Sequence, residues 1–164
     1  MSVVTVRKPQ EEIEALLRET APESLYVLGC GKCAKVSRTG GTEQVIAMRE
    51  ALSAKVFSLV SADDAPLAIE DGACDPEAVQ QAADRLRPLD FDVLLVLACG
   101  AGLKCVHDAL PDLTIIPALN TLGPGVTEKL ACLACGDCNF SEGRCNMLSV
   151  VDEARTRLHE SYGC

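Results

Sequence analysis

The sequence predicts an α/β fold: a doubly wound parallel sheet of about four strands, followed by a cysteine-rich metal-binding loop. Two observations lead to this prediction. Short apolar segments alternate with helical patterns along residues 1–125, which is typical of βαβ units with right-handed crossovers. Residues 126–164 follow a Gly123-Pro124-Gly125 break and contain a dense group of cysteines. We therefore predict an α/β domain with a sheet-edge metal site over 1–125, and a Cys-rich metal-binding segment with a terminal helix over 126–164.

Composition excludes several classes of protein. At 164 residues and 48% hydrophobic, the chain is one ordinary domain with a small appendage. A net charge of −9 and an aromatic content of 3% disfavour nucleic-acid binding. No apolar run approaches the length of a membrane span, so we expect no membrane insertion. Ten cysteines without a signal-peptide pattern at the N-terminus favour a reducing, cytoplasmic location.

Helix and strand signals alternate from the N-terminus. Pro9 stands at the start of a helical pattern whose apolar residues share one face, and this helix is expected to end near Pro22. Residues 25–28 then form a short apolar strand that runs directly into a glycine-rich turn.

A second helix and strand follow the Gly40-Gly41 turn. Thr42 is expected to cap this helix. Residues 55–61 are predicted as the second strand, and residues 67–69 as an edge strand. The apolar positions of the helix are Val45, Ile46, Met48 and Leu52.

The clearest helix start lies at Asp75, a favourable N-cap that Pro76 follows in the first helical position. This helix ends before Pro88. Its predicted buried face consists of Val79, Ala82, Ala83 and Leu86.

The strongest strand signal covers residues 92–98, which are apolar on both faces, as in a central parallel strand. A short helix over 101–110 and a fourth strand over 113–118 follow. Numbered along the chain, the predicted strand order is 2-1-3-4. In that order, ligands bind between strands one and three, at their carboxyl ends.

Four cysteines near the C-terminus are the strongest functional signal. They follow a C-x2-C-x2-C pattern with a fourth cysteine seven residues later, which is typical of iron–sulfur ligation. A structural zinc site is the main alternative, although zinc sites usually take two well-separated C-x2-4-C pairs. Disulfides or inert thiols are the third alternative. The four residues are Cys132, Cys135, Cys138 and Cys145.

A second metal site is predicted from topology. Cys30 and Cys33 leave strand one and Cys99 leaves strand three, while Cys74 precedes a helix whose N-terminus points toward the same edge of the sheet. Because free cysteine is often buried, Cys74 or Cys99 could instead be plain core. Cys105 could also replace either of them as a ligand.

No complete active site is evident. Cys105 occupies the last glycine position of a G-x-G-x-x-G turn that begins at Gly100, so the dinucleotide-binding motif is incomplete. A stand-alone enzyme with Cys30 as nucleophile would need a neighbouring base that the sequence does not provide. We therefore predict a non-catalytic subunit without substrate chemistry of its own.

Several spaced motifs together resemble the methylenetetrahydrofolate reductase C-terminal domain family, which includes the small metal-binding subunit of acetogen-type reductases. The resemblance covers nearly the whole chain and implies metal ligation by Cys30, Cys33, Cys99 and the cysteines from Cys132 to Cys145, with Cys74 an addition. It also implies a flavin-containing partner of TIM-barrel fold. The motifs are Leu28-Gly-Cys30-Gly-Lys-Cys33-Ala, Gly40-Gly41-Thr-Glu, Leu97-Ala-Cys99-Gly100-Ala-Gly102, Pro117-Ala-Leu-Asn120-Thr121 and Cys132-Leu-Ala-Cys135-Gly136-Asp-Cys138.

The predicted function is that of an iron–sulfur electron-transfer subunit with two [4Fe–4S] clusters, one at the sheet edge and one in the C-terminal loop. Its expected partner is a flavin-containing methylenetetrahydrofolate reductase-like subunit or another iron–sulfur oxidoreductase. The alternative is a zinc-stabilised structural scaffold without a redox role, with zinc at one or both sites.

Overall fold

The computed structural model describes residues 2–55 and 57–125, which belong to the first of the two units, Met1–Thr127 and Glu128–Cys164, into which the chain divides. The described part is a mixed α/β fold with a four-stranded parallel sheet flanked by helices, as predicted. The predicted Cys-rich loop and terminal helix lie outside the described residues. Among the described helices, none has both the length and the apolar composition of a membrane span.

The described residues contain six strands and five helices. In chain order they are β1 (Ser2–Arg7), α1 (Gln10–Thr20), β2 (Leu25–Cys30), α2 (Cys33–Val36), α3 (Thr42–Ser53), β3 (Ala68–Ile69), α4 (Pro76–Leu86), β4 (Val93–Leu97), α5 (Gly100–Ala109), β5 (Thr114–Pro117) and β6 (Leu119–Gly125).

The main sheet has the strand order β3-β2-β4-β5, and all its pairings are parallel. β2 and β4 are the central strands, and every residue of both is buried because the flanking helices cover the two faces of the sheet. This order matches the predicted 2-1-3-4 only with β3 in the place predicted for the strand over residues 55–61. It brings the carboxyl ends of β2 and β4 side by side at the predicted crevice.

The predicted second strand over residues 55–61 is wrong. Among the residues of this segment that the structure describes, 55 and 57–61, only Leu59 pairs with the sheet, through an isolated parallel bridge to Leu25 at the start of β2. The chain then leaves the sheet and returns as β3, which pairs with Gly29 and Cys30 at the end of β2. The edge position is therefore divided between two short segments, of which only the second, predicted over 67–69, is a strand.

Helix boundaries agree with the local signals in two of three cases. α1 ends at Thr20, one residue before a left-handed Ala21 that precedes Pro22. Asp75 caps α4 through its side chain, as predicted. Thr42, by contrast, is the first residue of α3 and not its cap. Gly41 is the N-cap, and its N–H donates to Gln44 Oε1 at 3.1 Å.

The core contains most of the predicted apolar positions. All four predicted residues of α4 are buried, as are Val45, Met48 and Leu52 of α3. Ile46 is the exception, since 44% of it is exposed. The buried residues of α3 recur at intervals of three and four positions, which form one stripe of a helix, and Ile46 lies beside that stripe.

A separate two-stranded ribbon was not predicted. β1 pairs antiparallel with β6, in a register that sets Val3 opposite Pro124 and Thr5 opposite Thr121. The register shifts at a bulge between Val4 and Thr5. The predicted break at residues 123–125 is therefore wrong, because these residues form the end of a strand. Pro124 is tolerated because a strand of a two-stranded ribbon has one unbonded edge, where a missing N–H costs nothing.

Candidate metal centre

Three loops at the carboxyl end of the sheet carry the cysteines of the predicted sheet-edge site. The first leaves β2, the second precedes α4, and the third joins β4 to α5. Because β2 and β4 are adjacent parallel strands, with Gly29 paired to Leu97, the residues that follow them emerge next to each other.

Cys30 and Cys33 occupy the first loop. Cys30 is the last residue of β2 and is buried, and its Sγ accepts a hydrogen bond of 3.4 Å from the backbone N–H of Ala73 in the second loop. Cys33 begins the short helix α2 and is half-buried. The contact with Ala73 joins the first loop directly to the segment that carries Cys74.

Cys99 lies between β4 and α5, where it is the buried N-cap residue of the helix. Its side chain makes no capping hydrogen bond. The N–H of the next residue, Gly100, donates instead to Thr121 Oγ1 of β6 at 2.9 Å. The Cys99 thiol therefore does not cap the helix.

Cys74 is the exposed member of the group, and its electrostatic environment connects it with the other three. Its pKa is raised above the usual value, first by partial burial of the thiol and then by negative charge on Cys30, Cys99 and Cys33. Cys30, Cys33 and Cys99 therefore lie near enough to Cys74 for their charges to act on its thiol.

Cys105 is a fifth thiol beside this group. It lies in the second turn of α5, half-buried, with its Sγ 3.8 Å from the carbonyl oxygen of Cys74. The absence of a side chain at Gly102 allows α5 to pack this closely on the loop before α4, because a Cβ there would lie 2.9 Å from Ala73 Cβ. Cys105 therefore remains an alternative ligand to its neighbour Cys74.

The donor set is suited to iron–sulfur ligation in its chemistry. It consists of thiols, it is partly buried, and a backbone N–H already bonds one sulfur. Within residues 2–55 and 57–125, however, no three His, Cys, Asp or Glu side chains form a group that could hold a single metal ion.

The ribbon contributes two residues that sequence analysis did not assign to the site. Thr121 binds Gly100, as described above. Thr5, which is 2% exposed, lies with its Oγ1 2.6 Å from Thr39 Oγ1, in the loop that follows α2. The run of β-branched residues at positions 3–6 would have indicated a strand there, but no local pattern relates it to the cysteines.

The second predicted metal site, at Cys132, Cys135, Cys138 and Cys145, lies outside the described residues.

Comparisons with protein-family models, with curated proteins and with solved structures found no match for this chain.

Proposed function

We propose that this protein is an iron–sulfur electron-transfer subunit of a larger redox complex. Cys30, Cys33, Cys74 and Cys99 would hold one [4Fe–4S] cluster at the sheet edge. A second cluster would be held by the four cysteines from Cys132 to Cys145. The observation that supports the proposal is that cysteines from three separate loops lie at the carboxyl ends of two adjacent parallel strands, with Cys30, Cys33 and Cys99 all near enough to Cys74 to raise its pKa.

A cluster and a single zinc ion need different spacings of their four sulfur ligands. With Zn–S bonds of about 2.3 Å, a tetrahedral zinc site needs sulfurs about 3.8 Å apart. The sulfurs around a cubane cluster stand farther apart, because iron and sulfide ions lie between them. The described donors are thiols from three loops, one of which accepts a backbone N–H at its sulfur, and this chemistry suits a cluster.

The surrounding residues have distinct tasks in this proposal. A bound cluster would accept and release one electron at a time. The Ala73 N–H would reduce the negative charge on Cys30 sulfur, and such hydrogen bonds tune reduction potentials. Burial of Cys30 and Cys99 would keep water from one side of the cluster, while exposed Cys74 would leave the other side open toward an electron-transfer partner.

Anaerobic purification with iron, sulfide and zinc analysis tests the proposal. Two cubane clusters require about eight irons and eight sulfides per chain, with broad visible absorption and an EPR signal on reduction. Colourless protein with stoichiometric zinc would contradict the proposal and support the zinc-stabilised scaffold.

Two matched substitutions on one segment test the ligand assignment. We expect Cys99→Ser to reduce iron to about four per chain, since one cubane takes four cysteines, and Cys105→Ser to leave it unchanged. Serine is a favourable N-cap, so Cys99→Ser should leave the apo fold intact. If Cys105→Ser loses iron and Cys74→Ser does not, Cys105 replaces Cys74 as the ligand.

Cys135→Ser should remove only the other cluster.

The proposed partner is a flavin-containing methylenetetrahydrofolate reductase-like subunit or another iron–sulfur oxidoreductase, and the contact is expected around the Cys-rich segment. Leu133 and Phe140 are apolar residues there whose burial would suit an interface core. Affinity purification from the native cell should recover such an oxidoreductase, and Phe140→Asp should weaken the association without loss of iron. A protein that purifies alone and exchanges electrons with no flavoprotein from its cell would contradict the subunit assignment.

A further inference from the structure

The hydrogen bond between Gly100 N–H and Thr121 Oγ1 joins the ribbon to the helix that begins just after Cys99. We propose that Thr121 is a positioning residue that fixes Cys99 for metal binding. This inference rests on the function proposed above, because it assumes that Cys99 is a ligand.

The start of α5 needs an outside hydrogen-bond acceptor. The first amides of a helix have no partner within the helix, and a Ser, Thr, Asp or Asn side chain at the N-cap usually supplies one. The N-cap here is Cys99, whose extended backbone and carbonyl begin the helix normally, with Leu103 N–H bonded to its oxygen at 2.8 Å. Its side chain makes no capping bond. Thr121 therefore satisfies one of these amides from another strand, and the sulfur stays available.

The ribbon that contains Thr121 also contacts the segment that follows Cys33. Thr121 is paired in register with Thr5 of β1, and Thr5 Oγ1 contacts Thr39 Oγ1. Thr39 in turn donates to the Ala34 carbonyl, one residue after Cys33. This pair of threonines ties one ribbon to both cysteine-bearing segments, so it sets the position of Cys99 relative to Cys33.

Cobalt titration isolates this effect. The full-length chain with serine at 132, 135, 138 and 145 reports on the sheet-edge thiols alone, and anaerobic titration with Co²⁺ is followed by thiolate-to-cobalt charge-transfer absorption. Thr121→Val keeps the shape of the side chain but removes the hydroxyl. We expect it to weaken Co²⁺ binding about tenfold or more, as loss of an outer-shell hydrogen bond usually does. Thr121→Ser should restore the affinity.

Thr20→Val is the matched control. Thr20 also makes one hydroxyl hydrogen bond, to the Leu16 carbonyl at 2.8 Å, but it lies at the end of α1, before β2 begins and thus at the opposite end of the sheet. It should lower stability as much as Thr121→Val in urea unfolding and leave Co²⁺ affinity unchanged.

The outcomes separate the two proposals. If the serine background binds neither Co²⁺ nor, after anaerobic reconstitution with Fe²⁺ and sulfide, an iron–sulfur cluster, the sheet-edge metal site is refuted, and the role of Thr121 is refuted with it. If the background binds the cluster alone, the variants are compared by the iron that each retains against a chelator, and equal retention by Thr121→Val refutes the positioning role. If the background binds Co²⁺ and Thr121→Val binds it equally well, or if Thr121→Ser fails to restore the affinity, only the positioning role is refuted.

Discussion

Replacing Gly40 with alanine should destabilise the fold by direct collision with the central strand. Gly40 lies in the loop after α2, and its carbonyl accepts the N–H of Cys30 at 2.7 Å. A Cβ at this position would lie 2.2 Å from the carbonyl oxygen of Leu97 and 2.8 Å from Ala34 Cβ. The φ angle of Gly40 lies outside the left-handed region, so alanine suits its backbone and the collision is the only new cost.

The size of the effect follows from which atoms collide. Real Cβ atoms essentially never approach other heavy atoms within 3.0 Å, so the Gly40 loop or the end of β4 must retreat by about 0.8 Å. Both are backbone segments held by hydrogen bonds, and overpacking of this kind typically costs about 1–3 kcal/mol. Because the shift also moves the partner of Cys30, we place Gly40→Ala at about 2–3 kcal/mol of lost stability.

Gly100→Ala is the matched control on the same edge of the sheet. Its Cβ would meet only Thr121 Oγ1, at an ordinary 3.8 Å. In the first turn of α5, the alanine should be neutral or add about 0.4–1 kcal/mol by restricting the unfolded chain. The two variants should therefore differ by about 5–15 °C in Tm.

Urea unfolding followed by far-ultraviolet circular dichroism measures the difference. The protein should be kept reduced and free of metal with a chelator, so that neither disulfides nor bound metal contribute. Equal unfolding free energies for the two variants, within about 0.5 kcal/mol, would refute the close packing of the Gly40 loop on Leu97.

Two further predictions address the core and the pH dependence of stability. Met48→Ala, at a fully buried position of α3, should lower the free energy of unfolding by about 2–5 kcal/mol. Ile46→Ala on the same helix should lower it by less than about 1 kcal/mol, because Ile46 is 44% exposed. Similar losses for the two variants in urea unfolding would contradict the assignment of the buried stripe. Desolvation raises the pKa of Asp92, but hydrogen bonds from the N–H groups of Ser24, Glu23 and Asp92 and from the Ser24 hydroxyl together lower it below the usual value. A carboxyl with a lowered folded pKa stabilises the protein above its unfolded pKa, and this contribution disappears as the pH falls through the folded value. Asp92→Asn should therefore flatten the acid limb of stability measured against pH, and an unchanged limb would show that these hydrogen bonds contribute nothing.

The elements that sequence analysis predicted correctly are those specified by neighbouring residues. Asp75 and Pro76 define a helix start within two positions, and the side chain of Asp75 accepts the N–H groups of Glu77 and Ala78 at 3.0 Å each. The central strand is predicted because a run that is apolar on both faces suits only a doubly covered sheet. The segment over 55–61 is also rich in apolar residues, but of its described residues only Leu59 pairs with the sheet. Arg49 Nη1 donates a hydrogen bond of 3.1 Å to the carbonyl of the next residue, Val60. Composition alone does not report such tertiary contacts.

The position of the cysteine-bearing loops at one edge was predictable, because strand order determines which loops share an edge. Cys30 ends one central strand and Cys99 lies two residues after the other, so their placement needed no further information. The choice between Cys74 and Cys105 did, since it depends on how closely α5 packs on the loop before α4. That packing is permitted by Gly102, and no spacing rule identifies a glycine as a packing site.

The ribbon could not be predicted, for a physical reason that bears on the site. β1 finds its partner more than a hundred positions away, and the partner contains Gly123, Pro124 and Gly125, which locally indicate a break. Only the long-range register reveals that this segment is extended and paired. The same register sets Thr5 opposite Thr121, and these two residues contact the segments that carry Cys33 and Cys99. Local patterns therefore identify the thiols on the loops at this sheet edge, whereas the threonines that contact two of these loops follow only from the tertiary pairing of the chain ends of this unit.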